Sequence, residues 1–402
     1  MDKAMKKTYL ITLLSAFALI MIATGIKLFF VHEKEEKKIK VGFVYVGDAS
    51  DAYTCNFMRT HNAIENQFKD QVEINAKYNV AEGKERIAIK ELISEGCDII
   101  FTTSYGYGET AKELAKEYPD VEFCQATCAN ANEKPKLDNY HTFMGSIYEG
   151  RYVSGVIAGM KLKELIENGV ITKEQAKIGY VAAYPYAEVI SGYTAFFLGI
   201  RSEVKDATMT VMYTNSWSDY AAEKRCAERL IKEGCVVISQ HSDTYGPAVA
   251  CEETEAGKVI YHVGYNQSMA DVAPTTYLVG SKINWEPYIV SAVQAVLEDK
   301  KIENTVKGNV NGNDIGAGFD EGWVQMLELN ELIAAKGSKE KMEAVIKELK
   351  KGKIEVFKGD YLGVNPQDET DTYDLKKGYQ ENKNCSAPTF YYILKDVITV
   401  EE

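Results

Sequence analysis

The most constraining feature of this sequence is a stretch that occurs twice. Residues 92–100 read LISEGCDII and residues 230–238 read LIKEGCVVI, so that Cys97 corresponds to Cys235 at an offset of 138 residues. The likeness continues downstream, where 103–108 align with 241–246 at the same offset. It also continues upstream, where 40–44 align with 177–181 at an offset of 137. Repetition at a fixed distance indicates a duplicated structural unit, so the chain is predicted to contain two copies of one fold.

Each copy reads as strands alternating with helices. Short apolar runs rich in Val, Ile and aromatic residues predict the strands. Apolar residues at three- to four-residue spacing predict helices over 81–95, 109–118, 219–233 and 248–256. Gly96 and Gly234 stand where left-handed helix caps are expected. Because this alternation favours parallel sheets with right-handed crossovers, we predict an α/β fold with two doubly wound, three-layer lobes joined by a hinge.

The amino-terminal region predicts a membrane segment. Residues 10–31 form an apolar run that follows three lysines within residues 1–9, and the run is long enough to span a bilayer. The positive charge favours a cytoplasmic 1–9, a retained anchor over 10–31, a charged linker over 32–38 and an extracellular remainder. A cleaved signal peptide is the alternative, because small residues occupy 23–25. The first cysteine is Cys55, so a lipid anchor is not expected.

The remaining boundaries follow from the repeat. We assign 39–145, together with about 270–315, to lobe 1. Lobe 2 is assigned 146–269, together with about 316–350. Residues 351–402 are expected to form a C-terminal extension that packs on the lobes.

Composition excludes several classes of function. The formal net charge is −13, and a nucleic-acid partner is not expected because phosphate binding requires clustered Lys and Arg. The glycine pattern of a dinucleotide-binding fold and the P-loop are both missing from the sequence. Eight cysteines occur without the spacing of a zinc site, and we expect them to be unpaired thiols. No metal or cofactor is predicted.

Candidate ligand-binding residues follow from the predicted topology, since ligands of such sheets bind beyond the carboxyl ends of the strands. The stretches at those ends are 47–56, 102–108, 183–188, 215–219, 241–246 and 264–268. An adjacent His-Ser-Asp at 241–243 cannot converge on one reacting atom, so a hydrolytic triad is not expected there. From these stretches we select Asp51, Tyr53, Asn56, Tyr105, Tyr107, Glu188, Trp217, Asp243 and Asn266.

Several blocks of this sequence resemble a known family. They include VGDASD at 46–51, IFTTSYGY at 100–107, YEGRY at 148–152, TNSWSD at 214–219, SQHSD at 239–243 and NWEPY at 284–288. Over about residues 39–330 the chain resembles the basic membrane protein family, the substrate-binding components of ABC importers that bind purine nucleosides or adenine. This resemblance implies a type I periplasmic-binding fold in which aromatic rings sandwich a base and carboxylates bind its edge.

The resemblance also implies roles for individual residues. The base site would contain Asp51, either Tyr53 or Phe57, Tyr105, Trp217 and Asp243. Asn266 falls where nucleoside-binding relatives have an Asp for the ribose, and Lys282 falls near their ribose-binding Lys.

We therefore expect a monomeric, non-enzymatic binding protein that captures a purine base or nucleoside and delivers it to an ABC permease and its ATPase. Two alternatives remain at this point. One is a ligand-sensing ectodomain, which would need a separate signalling partner because only about nine residues precede the predicted span. The other is a nucleoside hydrolase.

Overall fold

The computed structural model describes Asp2, Met5, Thr12 and residues 37–401. The chain divides into two units at Lys38/Ile39, and the second unit is described below. The predicted membrane segment at 10–31 lies outside the described residues, apart from Thr12. Across the described part, no helix combines the length and the apolar character that crossing a membrane requires.

The first large sheet belongs to lobe 1. Its order is β2-β1-β3-β4-β5-β12-β11, and it is parallel except for the pairing of β11 with β12. The strands are β1 Ile39–Val44, β2 Val72–Lys77, β3 Ile99–Thr102, β4 Glu122–Ala126, β5 Tyr140–Gly145, β11 Asn309–Asn311 and β12 Asp314–Ala317.

The second large sheet belongs to lobe 2 and repeats the same core order, as β17-β7-β6-β8-β9-β10-β13. It is parallel except at β13, which pairs antiparallel with β10. The strands are β6 Lys177–Ala182, β7 Thr208–Tyr213, β8 Val237–His241, β9 Tyr261–Tyr265, β10 Tyr277–Ile283, β13 Val324–Met326 and β17 Ile398–Glu401.

Helices cover both sheets, as expected for strands whose two faces are buried. Those of lobe 1 are α1 Ala52–Phe68, α2 Glu85–Ser94, α3 Gly108–Glu117 and α8 Glu286–Leu297. Those of lobe 2 are α4 Ile147–Glu167, α5 Ala187–Glu203, α6 Tyr220–Lys232, α7 Gly246–Glu252 and α9 Ser338–Lys350. The predicted α/β fold with two parallel sheets is confirmed.

The strand register reproduces the sequence repeat. Val41 lies beside Ile99 in lobe 1, and Ile178 lies beside Val237 in lobe 2. These are the offsets of 137 and 138 read from the sequence. Gly96 and Gly234 have φ of 85° and 92°, the left-handed conformation expected of the two caps.

The chain passes between the lobes three times, after β5, after β10 and after β12. Strand Tyr277–Ile283 pairs with β9 in the sheet of lobe 2, which corrects the assignment of this stretch to lobe 1. The chain returns to lobe 1 only with α8, where Trp285 stacks on Phe57 with ring centroids 4.2 Å apart.

The C-terminal extension contains a small antiparallel sheet of β14 Leu362–Asn365, β15 Asp368–Asp374 and β16 Ile393–Leu394. Its last strand, β17, joins the large sheet of lobe 2 beside β7. The extension therefore contributes a strand to lobe 2 besides packing on it.

All eight cysteines are free thiols in the structure. Cys97 and Cys235 are 2% and 5% exposed, and burial raises the pKa of each thiol to about 12. They behave as small apolar core residues, as predicted.

Candidate functional site

The carboxyl ends of the two sheets face one another, and a pocket of about 390 Å³ lies between them. This volume is in the range of small-molecule sites. Each lobe provides five of the lining residues, which follow or end a strand. Lobe 1 provides Val46, Tyr53, Ser104, Tyr105 and Thr127, and lobe 2 provides Glu188, Trp217, His241, Asp243 and Tyr265. We call this space the inner pocket.

The lobes touch each other around the inner pocket. The backbone N–H of Ala52 donates to the carbonyl of Asp243 at 3.3 Å. The rings of Tyr105 and Tyr186 lie 5.5 Å apart across the cleft. The structure is thus a closed arrangement in which both lobes complete one site.

A buried glutamate fixes the loop that carries Asp243. The Glu223 carboxylate is fully buried and accepts hydrogen bonds from the Ser242 hydroxyl at 2.8 Å, the Thr244 hydroxyl at 2.7 Å and the Thr244 N–H at 3.2 Å. The Gln240 amide donates to the carbonyls of Ser242 and Thr244. With these bonds on either side of it, Asp243 is presented on a rigid loop.

A matching loop in lobe 1 carries Tyr105. The Glu82 carboxylate accepts hydrogen bonds from the Ser104 hydroxyl at 2.6 Å and the Gly106 N–H at 2.9 Å. The Gln125 amide donates to the Ser104 carbonyl at 2.8 Å. The Tyr105 side chain projects from this loop toward the cleft and is 53% exposed.

The ionisable groups of the inner pocket are mainly acidic. Burial raises the pKa of Asp243 well above its usual value, and the nearby carboxylates of Asp51, Glu223 and Glu188 raise it further. Burial also lowers the pKa of His241, whose Nε2 lies 3.4 Å from a Glu188 oxygen. Within the described part of the chain, no Lys or Arg lines this pocket. It is therefore suited to a ligand that donates hydrogen bonds rather than to an anion.

Aromatic rings form the other part of the lining. The Tyr53 hydroxyl donates to the Thr103 carbonyl at 2.5 Å, which orients its ring. Trp217 packs edge-on against Tyr184 at 5.2 Å. Behind the pocket, the buried guanidinium of Arg151 stacks 3.6 Å from the centre of the Tyr265 ring. Such fixed rings can stack on a planar ligand.

Five of the residues selected from the sequence lie in the lining of the inner pocket. They are Tyr53, Tyr105, Glu188, Trp217 and Asp243. Three come from the sheet of one lobe or its loops and two from the equivalent positions that the repeat relates, Tyr105 and Asp243 being separated by the same 138 residues.

Three other predicted residues of the first loop and helix lie outside this lining. The Asp51 carboxylate caps α1 by accepting from the Thr54 N–H at 2.7 Å, and burial raises its pKa. The Asn56 amide donates to the Ile283 carbonyl at 2.6 Å and so joins α1 to the end of β10. Phe57 is fully buried behind Tyr53. Of the two aromatic alternatives, Tyr53 is the one that reaches the pocket.

The remaining three also lie outside the lining. Tyr107 is buried in lobe 1, where its hydroxyl donates to the Val80 carbonyl. Asn266 lies behind Asp243 and donates to its carboxylate at 3.3 Å. Lys282 is partly buried, and burial together with the nearby Arg59 lowers its pKa. Asn266 thus supports a pocket residue from outside the lining.

Five lining residues were missed. They are Val46, Ser104, Thr127, His241 and Tyr265. Ser104, His241 and Tyr265 fall within the strand-end stretches, so position alone could have identified them. Thr127 directly follows β4, and its φ of 64° marks a turn at the strand end. Among the residues the structure describes, no group of three or more His, Cys, Asp or Glu side chains is arranged to hold a metal ion.

Comparison with solved structures supports the fold. A solute-binding protein of an ABC transporter system from Aeropyrum pernix K1 superposes with a TM-score of 0.63 at 16% identity, over 83% of this chain and 95% of that one. Another from Conexibacter woesei gives a TM-score of 0.59 at 14% identity, over 79% and 97%. The predicted type I periplasmic-binding fold is thereby confirmed.

Sequence relatives are more specific. A protein of Brucella abortus named as purine-binding is 33% identical over 72% of this chain and 75% of its own length. A protein of Haloferax volcanii, whose name assigns it provisionally to glucose binding in an ABC transporter, is 29% identical over 66% of this chain and 62% of its own length. Basic membrane protein A of Borreliella burgdorferi is 23% identical over 63% and 69%.

The family description "ABC transporter substrate-binding protein PnrA-like" matches residues 38–358, which include both lobes and every residue of the inner pocket. This chain therefore belongs to the Bmp family of PnrA-like substrate-binding proteins of ABC transporters.

Proposed function

We propose that the protein captures a purine nucleobase or nucleoside in the inner pocket and delivers it to an ABC permease. The observation that carries the proposal is the lining itself, in which Tyr53, Tyr105, Trp217 and Tyr265 accompany the carboxyl groups of Glu188 and Asp243. A purine is planar and carries N–H donors at its edge, so rings and carboxylates suit its two kinds of surface. The named purine-binding relative supports the same ligand class.

Titration calorimetry tests this ligand class. Adenine, guanine, hypoxanthine, their nucleosides and glucose are titrated separately into protein freed of bound ligand. We expect one-to-one binding of at least one purine with a Kd of about 1 µM or lower, and no heat from glucose. Binding of glucose with silence from every purine would overturn the proposal in favour of a sugar.

The protein acts in this proposal by binding alone. The pocket groups hold and orient a ligand, and the adjacent positions of His241 and Asp243 give no nucleophile with a convergent base. Incubation with each nucleoside that binds, followed by chromatography, should return the nucleoside intact. Release of free base at a rate above the buffer blank would instead support a hydrolase.

We further propose that the protein is a monomer tethered at the extracytoplasmic face through residues 10–31. The apolar run and the lysines before it support the tether. Full-length protein should partition with membranes, and a variant lacking residues 1–31 should be recovered in the soluble fraction. Light scattering on the soluble form should give one chain per particle.

A further inference from the structure

A second, larger space adjoins the inner pocket. It measures about 1320 Å³ and shares three lining residues with the inner pocket, Tyr105, Thr127 and Glu188. We call it the outer chamber. Because the two spaces share these walls, a ligand whose planar part fills the inner pocket could extend its remainder only into a neighbouring space of this kind.

The outer chamber has a wall from outside the family match. Ala387 and Pro388 line it, and both belong to the C-terminal extension beyond residue 358, where the match ends. The opposite walls come from the loops after β3, β4 and β6. The extension therefore reaches the ligand cleft itself.

The segment that carries this wall is fixed to both lobes. On lobe 1, the Asp314 carboxylate accepts from the Ser386 N–H and hydroxyl, both at 2.6 Å. On lobe 2, the Glu381 carboxylate accepts from the Ser191 hydroxyl at 2.7 Å. Glu381 also accepts from the Thr389 N–H at 2.6 Å, which folds the segment back on itself. Asp314, Glu381 and Ser386 are each at most 5% exposed, so these anchors are buried.

The charges around the outer chamber are negative. Its charged lining residues, within the chain as described, are Glu109, Glu133 and Glu188. The nearest ammonium group identified beside it, that of Lys112, is turned to the carbonyls of Asn130 and Glu133. An added phosphate would meet carboxylates, whereas hydroxyl groups could donate to them.

We propose that the outer chamber is the subsite for an uncharged, hydroxyl-bearing substituent of the planar ligand, a group the size of a sugar, and that Ala387 and Pro388 determine which ligands fit. This inference rests on the proposed binding of purines. It places the sugar against the C-terminal extension, whereas the family resemblance places it near Asn266 and Lys282, which lie outside both linings.

The substitution Ala387→Trp tests the wall by filling the chamber. We expect the ratio of the nucleoside Kd to the free-base Kd to rise by at least about tenfold, measured by calorimetry. Leu332→Trp is the matched control, because Leu332 is 95% exposed and lies outside both linings. If Ala387→Trp melts well below the wild type, Ala387→Phe replaces it.

The charge of the chamber is tested with a nucleoside 5′-monophosphate. We expect it to bind the wild-type protein at least about 100-fold more weakly than the nucleoside. Glu133→Lys should reduce this discrimination by about tenfold. Glu255→Lys, at a side chain that is 85% exposed, should leave it unchanged.

The outcomes separate the two proposals. An unaltered ratio in the folded Ala387→Trp variant, equal binding of nucleoside and monophosphate, or a wild-type protein that binds bases but no nucleoside would each overturn the subsite while leaving purine binding intact. A wild-type protein that binds no purine overturns the proposed function, and the subsite with it.

Discussion

The loops that carry Tyr105 and Asp243 are built on the same hydrogen bonds. In each, a serine hydroxyl and the N–H two residues later donate to one glutamate, Glu82 in lobe 1 and Glu223 in lobe 2. In each, a glutamine amide donates to the serine carbonyl. The residue between these anchors is a half-exposed ring in one lobe and a buried carboxyl in the other.

This comparison teaches how a duplicated fold acquires one asymmetric site. The backbone framework of the loop is the same in both copies, and the side chain it presents differs. Lobe 1 contributes rings, hydroxyls and an apolar side chain to the inner pocket, while all three of its ionisable acid and imidazole groups come from lobe 2. Lobe 1 is thus expected to shape the pocket and lobe 2 to bind the ligand's polar edge.

The largest expected effect separates the two anchoring glutamates. Glu223→Ala leaves buried donors of Ser242 and Thr244 without their acceptor, so we expect a loss of about 3 kcal/mol in the free energy of unfolding. Glu82 is exposed to water, and Glu82→Ala should cost at most about 1 kcal/mol. Urea denaturation measures both. Equal losses would contradict the view that only the lobe 2 anchor is buried.

Asp243→Ala should weaken purine binding by about 100-fold, because the pocket loses the carboxyl group that we expect to meet a ligand N–H. Calorimetry measures the change, and Asp271→Ala, at an exposed position, is the control. A variant that keeps wild-type affinity would show that lobe 2 does not bind the polar edge through this residue.

A third prediction concerns the junction of the lobes. The Glu149 carboxylate accepts from the Phe319 N–H at 2.8 Å, beside the last crossover between lobes. Burial raises its pKa from 4.5 to about 7, the Phe319 hydrogen bond opposes this, and Asp320 adds to it. Because the folded state holds the proton more tightly, this group favours folding below pH 4.5 and loses that contribution as pH rises to about 7.

Glu149→Gln removes the ionisation while keeping an acceptor for Phe319. We expect the variant to gain about 2 kcal/mol of stability over the wild type between about pH 5 and pH 8. Chemical denaturation at the two pH values measures this gain. Parallel stability profiles for variant and wild type would contradict the raised pKa.

The smallest effect is expected in lobe 1. Tyr105→Ala removes one ring that could stack on the ligand, and we expect about a tenfold loss of affinity. Tyr220→Ala is the control, because Tyr220 is similarly exposed and lies outside the pocket lining. A loss as large as that of Asp243→Ala would break the division of roles between the lobes.

The repeat predicted much of the fold, and it contained more than was used. The offset of 138 carries Gly145 at the end of β5 to Ile283 at the end of β10, which identifies Tyr277–Ile283 as the fifth strand of lobe 2. Counting along the chain instead placed that strand in lobe 1. The crossover that follows it has no local sequence signal, because it depends on which sheet edge the preceding strand pairs with.

For the site, position at a strand end predicted more than residue type did. Tyr53, Tyr105 and Asp243 follow strands and line the pocket, but Asp51 turns back to cap its own helix. That choice depends on a rotamer, which the sequence does not specify. Lys282 lies within β10, where successive side chains point to opposite faces, so proximity in sequence to the cleft did not bring it there.

The pairing of Ile398–Glu401 with β7 has a consequence for folding. The sheet of lobe 1 is complete once residue 317 has been synthesised, whereas the sheet of lobe 2 waits for a strand nearly 190 residues downstream of its partner. Until then β7 is an open edge, and open edges pair with other chains. During synthesis, lobe 2 is therefore the half of the molecule most exposed to misassembly and most in need of a chaperone.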